Sequence, residues 1–172
     1  MKAIVSVVLL SMTTLAWGQS VNACGASGES FSTKLVHAGG AVTAPSAGKA
    51  FVYVVEDQGK ANEICIDCAV TVKIGLDGTW LGATHGDSFL GFAIDPGEHH
   101  LCSNWQSELR SFSKLIALNG FAAESGKVYY FRTHVVVPRD SVPLVFTLEP
   151  LNQDEGKLLV DSSRMSESKK KN

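Results

Sequence analysis

Beyond its first residues the sequence lacks any hydrophobic run long enough to cross a membrane. A transmembrane helix needs ~18 to 20 apolar residues, and no segment after Trp17 approaches that length. The chain also lacks an excess of basic charge, with 15 Lys and Arg against 17 Asp and Glu and a net charge of −2. Without that excess, neither nucleic acid nor an anionic membrane surface is expected as a partner.

The sequence signatures of common catalytic and cofactor sites are absent as well. The chain has no H-E-x-x-H motif, no glycine-rich phosphate loop and no EF-hand loop. The segment GASGES (25–30) departs from the nucleophile elbow G-x-S-x-G at Glu29, where glycine is required. We therefore predict no catalytic residue, no cofactor and a protein that is not an enzyme. A site assembled from carboxylates distant in sequence stays open as an alternative.

The first 18 residues have the features of a secretory signal peptide. Lys2 supplies the positive n-region, an apolar run extends from Ala3 to Trp17, and Ala16 and Gly18 are the small residues before a cleavage site. Removing Lys2 with this leader leaves 14 Lys and Arg against 17 acidic residues, a net charge of −3. We expect a secreted or periplasmic protein with an unknown partner in the envelope or outside the cell.

Four cysteines, Cys24, Cys65, Cys68 and Cys102, follow the predicted leader. An even number in an oxidising compartment predicts disulfides. We expect Cys65 and Cys68 to pair separately, one with Cys24 and one with Cys102. Loop-closure entropy does not select a pairing, because either long loop contributes roughly 4 kcal/mol. Cys24 lies too far beyond the apolar run for lipid anchoring to be expected there.

Cys65-x-x-Cys68 also admits two other hypotheses, a redox centre and half of a zinc site. A thioredoxin-type pair begins a helix, where the thiol pKa is lowered. This pair instead precedes an alternating strand pattern and has Asp67 between its thiols. Zinc would need a second C-x-x-C or H-x-x-x-H half, which is missing. We predict no metal site and keep a thiol-redox or metal-handling protein as the alternative function.

Short β-branched and aromatic runs separated by turn residues predict a mainly β protein. KAFVYVVE (49–56) is typical of a strand buried on both faces, and AVTVKIG (69–75) alternates as a half-buried strand does. Asp77-Gly78 predicts a type I′ hairpin turn. Pro96-Gly97 predicts a type II turn that closes another hairpin. Asn152, with Glu155 three residues later, predicts the N-cap of a short helix.

Together these elements predict an antiparallel β-sandwich of about seven to eight strands with one short C-terminal helix. The predicted organisation is a signal peptide at 1–18 and an irregular segment at 19–47, with room for one short strand near Phe31 to Val36. The sandwich domain with its helix follows at 48–162, and a flexible, polar and basic tail at 163–172.

Ring-bearing side chains supply the remaining candidates for contact with a ligand. Trp105, expected in a polar loop over 104–111, is the candidate ligand contact, as a stacking surface for a sugar or peptide; anchoring that loop is its alternative role. His99 and His100 are neighbours on a predicted strand and point to opposite faces, so they do not chelate one ion. We expect His99 to be a hydrogen-bonded residue at the edge of the core.

Four segments together resemble a known family: GKAFVYVV (48–55), VTVKIGLDGTWLGA (70–83), DPGEHHL (95–101) and ESGKVYYFR (124–132). They are similar to an exported bacterial domain of unknown function and to the broader PEGA-like group of small extracytoplasmic β-sandwiches. The resemblance covers roughly residues 48–149. It implies a prealbumin-like sandwich and supplies no catalytic residues. The sandwich pattern and the missing catalytic signatures lead us to expect a binding or envelope-scaffolding module.

Overall fold

The computed structural model describes residues 24–37, 44–57, 70–108, 111–136 and 145–172, and these ranges contain ten strands and one helix. In chain order the elements are β1 (Phe31–Val36), β2 (Ala50–Glu56), β3 (Thr71–Leu76), β4 (Thr79–His85), β5 (Ser88–Ile94), β6 (Gly97–Gln106), β7 (Ile116–Ala123), β8 (Val128–Val136), β9 (Val145–Leu151), α1 (Gln153–Ser162) and β10 (Arg164–Lys170). The prediction of a mainly β protein with one C-terminal helix is confirmed. The strand count is ten, not seven to eight.

Some predictions fall outside the described residues, namely the signal peptide and the Cys65-x-x-Cys68 pair. Within the described ranges, no helix combines the length and the apolar character that a membrane span requires.

The strands form two sheets. One has six strands in the order β1-β10-β5-β2-β8-β9, and the other has four in the order β4-β3-β6-β7. Most neighbours are antiparallel as predicted, but β2 pairs with β8, and β10 with β5, in parallel. A parallel pair needs a connection that crosses over, so sequence neighbours are not always sheet neighbours.

β2 is buried on both faces, which confirms its prediction. Val52 and Val54 belong to a buried cluster that also contains Ile74 of the four-stranded sheet. On the other face of β2, Tyr53 and Val55 belong to a second cluster with Val160 of α1. Since each face has its own covering, the odd-numbered and the even-numbered residues of β2 are both apolar.

The Asp77-Gly78 hairpin is also confirmed. Asp77 has φ 49° and Gly78 has φ 83°, the positive values that a type I′ turn requires, and β3 and β4 pair on either side. Farther along, Ile74 pairs with Gly82 while Gly75 pairs with Trp80, so Leu81 is an extra residue on β4. This β-bulge sets Trp80 on the same face of the sheet as Gly75.

The prediction that Pro96-Gly97 closes a hairpin is wrong. β5 belongs to the six-stranded sheet and β6 to the four-stranded sheet, so this corner carries the chain from one sheet to the other. Gly97 has φ 140° and already pairs with Ala123 as the first residue of β6. Proline and glycine dictate a change of direction, whereas the partner of the next strand depends on which sheet buries its apolar side chains.

The helix begins as predicted. Asn152 is its N-cap, and its side-chain oxygen accepts from the Glu155 backbone N–H at 2.9 Å. Gly156 is buried against Tyr130, whose side chain occupies the space that a Cβ at position 156 would need. The glycine that weakens the helix in isolation is therefore what lets α1 approach β8 closely.

The predicted flexible tail at 163–172 is wrong, because most of it is β10. This strand pairs with β1 along its length and with β5 at Arg164 and Met165. Ser166 is buried and donates to the backbone oxygen of Ala83 at 2.7 Å. A strand so polar has no local sequence signal, because its partners are the backbones of distant segments. The short strand anticipated near Phe31 to Val36 is β1 and is confirmed.

Candidate functional site

A disulfide joins Cys24 to Cys102 of β6, with a Cα–Cα distance of 5.3 Å. The expected pairing of Cys24 and Cys102 with Cys65 and Cys68 is therefore wrong. Chain entropy does not distinguish the alternatives, and the outcome depends on where residue 24 lies in the fold. Cys102 is fully buried. Its neighbour Leu101 belongs to the buried cluster that contains residues of both sheets, so Cys102 lies on the opposite face of the four-stranded sheet.

Residues 24–30, which we call the strap, cross this face of the four-stranded sheet. The strap is held by side chains that the sheet directs toward it. Trp80 Nε1 donates to the backbone oxygen of Ala26 at 2.9 Å, and Lys73 Nζ donates to that of Glu29 at 3.1 Å. Gly25 lies so close to the Trp80 indole that a Cβ there would overlap the ring.

Gln106 fixes the point where the strap becomes β1. Its Oε1 accepts from the Phe31 backbone N–H at 2.7 Å, and its Nε2 donates to the Phe31 backbone oxygen at 2.8 Å. One side-chain amide thus satisfies both backbone groups of an edge residue, as a neighbouring strand would.

Lys73 is buried by the strap. Alternation of β3 placed it on the outward face, yet the residue is only 7% exposed. Its ammonium lies 4.3 Å from the centroid of the Trp80 ring, a cation–π arrangement. Burial lowers the pKa of Lys73, and the negative charge of Glu29 opposes that shift in part. Glu29 itself pairs with Lys170, Oε2 to Nζ, at 3.0 Å.

A cavity of about 550 Å³ lies between the strap and the ends of β3, β4, β6 and β7. Its lining includes the two indoles Trp80 and Trp105, the charged groups of Lys73 and Glu29, and polar side chains such as Asn104. That volume is within the ~300–1,000 Å³ range of small-molecule sites. The arrangement offers ring faces and hydrogen-bonding groups in one half-open space.

Trp105 lies at the end of β6 and not in a loop, which corrects the predicted polar loop at 104–111. Its ring stacks on Phe112 with centroids 4.7 Å apart and planes 8° from parallel. Its backbone N–H donates to Leu115 O at 3.1 Å. Trp105 therefore anchors the segment before β7 and also lines the cavity.

His99 connects the two predicted turns, Asp77-Gly78 and Pro96-Gly97. Its Nδ1 lies 2.7 Å from Asp77 Oδ2 in the hairpin turn, and its Nε2 lies 2.8 Å from the backbone oxygen of Asp95 beside Pro96-Gly97. The expectation that His99 is a hydrogen-bonded residue is confirmed. Because a carboxylate and a carbonyl only accept, the doubly protonated ring satisfies both contacts.

The charges at this corner shift both pKa values. Burial disfavours charged His99, but hydrogen bonds to Asp77 and Asp95, with the negative charges of both residues, outweigh it and raise its pKa. For Asp77, burial is likewise outweighed, by the His100 backbone N–H and by the charges of His99 and His100, so its pKa is lowered. His99 lies on the face of β6 that also carries Leu101, opposite to the face that the strap crosses, and acts as a structural clasp.

A second polar cluster connects α1 to the six-stranded sheet. Arg132 Nη1 lies 3.2 Å from Glu155 Oε1, Arg132 Nη2 lies 3.1 Å from Glu149 Oε1, and His134 Nδ1 lies 3.4 Å from that same oxygen. These groups pair with one another on a half-exposed surface. In the part of the chain that the structure describes, no three His, Cys, Asp or Glu side chains are grouped to hold a metal ion.

Sequence reasoning missed Lys73, Gln106 and Glu29 as residues of the cavity. The lysine between Val72 and Ile74 looked solvent-facing, because nothing in the alternation says that another segment covers that face. Gln106 has no sequence signal at all, since its partner lies 75 positions away.

Comparison with known proteins finds no match for this chain among protein-family models, curated proteins or solved structures.

Proposed function

We propose that this protein is an exported, non-catalytic binding module with its ligand site in the cavity beneath the strap. The predicted leader and a disulfide, which persists in oxidising compartments, support export. The sulfur of Cys24 is bonded to Cys102, which argues against a lipid on that residue. The resemblance to PEGA-like domains favours a partner in the envelope.

A β-sandwich is the architecture that we propose for the module. Support comes from the larger buried cluster, which combines residues of both sheets: Val52 and Phe131 on one side, Ile74 and Leu101 on the other. Two sheets that share one apolar cluster are best explained by face-to-face packing. The outer face of each sheet then has its own covering, α1 on one and the strap on the other.

The cavity is the observation that carries the binding proposal. Its charged groups already have partners in the protein: Lys73 contacts Glu29 O and the Trp80 ring, and Glu29 pairs with Lys170. An ion would have to compete with these contacts. A neutral ligand with an apolar face and several hydroxyl or amide groups fits better, as in a sugar or an uncharged peptide.

Intrinsic fluorescence tests this proposal directly. The chain has three tryptophans, and after loss of Trp17 with the leader the remaining two, Trp80 and Trp105, both line the cavity. Titration of the mature protein with neutral oligosaccharides and short uncharged peptides should give a saturable change for the ligand class that binds.

A filled-cavity variant locates the response. Ser30→Phe should abolish it, whereas the matched variant Ser125→Phe, in the exposed turn between β7 and β8, should keep it. An equal response in Ser30→Phe and wild type would place binding outside the cavity. No response to any probe would count against a site for neutral ligands.

The alternative function is thiol-redox or metal handling by Cys65-x-x-Cys68. One observation favours it: since Cys24 and Cys102 bond to each other, the sequence leaves Cys65 and Cys68 with only one another within the chain. Intact mass after alkylation without reductant separates the hypotheses. Four cysteines that do not react with the alkylating reagent, together with no bound metal, support a structural pair. A labile pair with a thiol that titrates below neutral pH would support redox function.

A further inference from the structure

The four edge strands of the two sheets are not equally protected against pairing with another chain. Natural sheets protect edges with charges, prolines and bulges. β1 carries Lys34, β9 carries Pro150, and β4 has the bulge at Leu81. β7, with the sequence IALNGFAA, has no charge or proline, and its register with β6 is continuous. Within the described chain, β7 is thus the edge without such protection.

The side of β7 opposite to β6 presents backbone groups at alternate residues, while the Asn119 side chain donates from Nδ2 to Leu148 O of β9 at 3.4 Å. Trp105 N–H donates to Leu115 O, so by antiparallel alternation the odd-numbered residues of β7 bond to β6. Ile116, Leu118, Gly120 and Ala122 then direct their N–H and C=O groups toward the open edge. The side chains of Ile116 and Leu118 are 51% and 62% exposed on the same face.

We propose that β7 pairs with β7 of a second copy of this chain, antiparallel and centred on Asn119. In that register Asn119 faces Asn119 of the second copy, and every other pair places a large side chain opposite a small one. Ile116 faces the second copy's Ala122, Leu118 faces its Gly120, and Phe121 faces its Ala117. The even-numbered residues pair with one another in this register, and their backbone N–H and C=O groups point to the edge. The backbone hydrogen bonds between the two copies therefore form without a shift in register.

Charge complementarity supports the same register. Lys114 lies two residues before β7 and Glu124 immediately follows it, both exposed and equally far from Asn119 in the sequence. Antiparallel pairing brings Lys114 beside the second copy's Glu124 at both ends of the contact. Parallel pairing would instead juxtapose like charges. Glu124 already contacts Lys127 of its own chain at 3.0 Å, so the approaching lysine would complete a cluster of three charges.

The result is one eight-stranded sheet formed from two four-stranded sheets, related by a two-fold axis through Asn119. A single strand-edge contact is small compared with the ~1,200 Å² typical of stable complexes. We therefore expect a monomer–dimer equilibrium that depends on protein concentration.

Sedimentation velocity of the mature protein, from about 1 to about 500 μM, measures that equilibrium; this range brackets weak dimers. Leu118→Lys places a charge at the centre of the edge and should weaken dimerisation by more than about tenfold. The two lysines would lie close to each other across the two-fold axis, and their like charges would repel. The matched control is Leu158→Lys on α1, where the leucine is 67% exposed; it should dimerise like wild type. Circular dichroism establishes that both variants fold.

Charge reversal tests the register. Lys114→Glu and Glu124→Lys should each weaken the dimer, and the double variant should recover it, since the opposite charges are again paired. A wild-type protein that stays monomeric at the highest concentration would overturn the proposal. So would a dimer that is insensitive to Leu118→Lys, or a double variant no better than the single ones.

Discussion

The coverings of the two sheets differ in kind. α1 covers the six-stranded sheet mainly with apolar contacts, and Gly156 allows it to pack closely on Tyr130. The strap covers the four-stranded sheet with one disulfide and a few hydrogen bonds from Trp80 and Gln106. An apolar covering stabilises by removing surface from water, which favours close packing. A polar covering that is tied at separate points leaves space between the ties, and here that space is the cavity.

The largest effect is expected from cutting the covalent tie of the strap. Cys24→Ser with Cys102→Ser opens a loop with a sequence separation of 78 and should reduce the free energy of unfolding by roughly 4 kcal/mol. Urea denaturation measures this loss, and hydrogen exchange should rise in the strap while α1 keeps its protection. Equal loosening of both coverings would contradict the distinction between them.

A smaller effect is expected from overpacking the apolar covering. Gly156→Ala adds a methyl group where Tyr130 already lies, which costs about 1–3 kcal/mol. Its better helix propensity returns only about 1 kcal/mol, so the net change should be destabilising. Lys157→Ala, at an exposed position of the same helix, is the control and should change stability little. A stabilised Gly156→Ala protein would show that α1 has room to move.

Removing one hydrogen-bonded tie should have a local consequence. Gln106→Ala leaves the Phe31 N–H and C=O without their side-chain partner, which costs roughly 1–2 kcal/mol. Amide exchange at Phe31 should accelerate, and the tryptophan fluorescence of the cavity should change. Gln106→Glu should behave similarly, because a carboxylate does not donate to Phe31 O. Unchanged exchange at Phe31 would show that the disulfide alone positions the strap.

The smallest effect belongs to the clasp at His99, whose hydrogen bonds are to Asp77 and Asp95 and not to either covering. Its folded pKa is raised, so its stabilising contribution is complete below the unfolded value of about 6.5 and is lost as pH rises through the folded pKa. Stability measured across pH 5 to about 9 should fall in that window in wild type and not in His99→Gln. NMR titration of the His99 ring gives the pKa directly. A folded pKa below that of a free histidine would contradict the doubly protonated clasp.

The features predicted correctly from sequence are local ones. The Asp77-Gly78 turn, the Asn152 N-cap and the doubly buried β2 each depend on the preferences of a few adjacent residues. The wrong predictions concern long-range choices. The Pro96-Gly97 corner turns as expected but leads into the other sheet, and 163–172 forms β10 because distant backbones accept it.

The candidate site was only partly visible for the same reason. The sequence predicts Trp105 as a ligand contact, and Trp105 lines the cavity, but the cavity exists only because the strap lies over Lys73. Four cysteines indicated cross-links without saying which pair would form.

By itself, then, the sequence determined the class of structure, the main turns, the helix cap and the supply of cysteines, since these depend on the conformational preferences and chemistry of neighbouring residues. The tertiary structure decided the partners: Cys24 with Cys102, β10 with β1, and the strap with Gln106. Every residue except proline offers the same backbone donor and acceptor, so the sequence does not show which segments will pair. Their partners are selected only when the whole chain has found a way to bury its apolar faces.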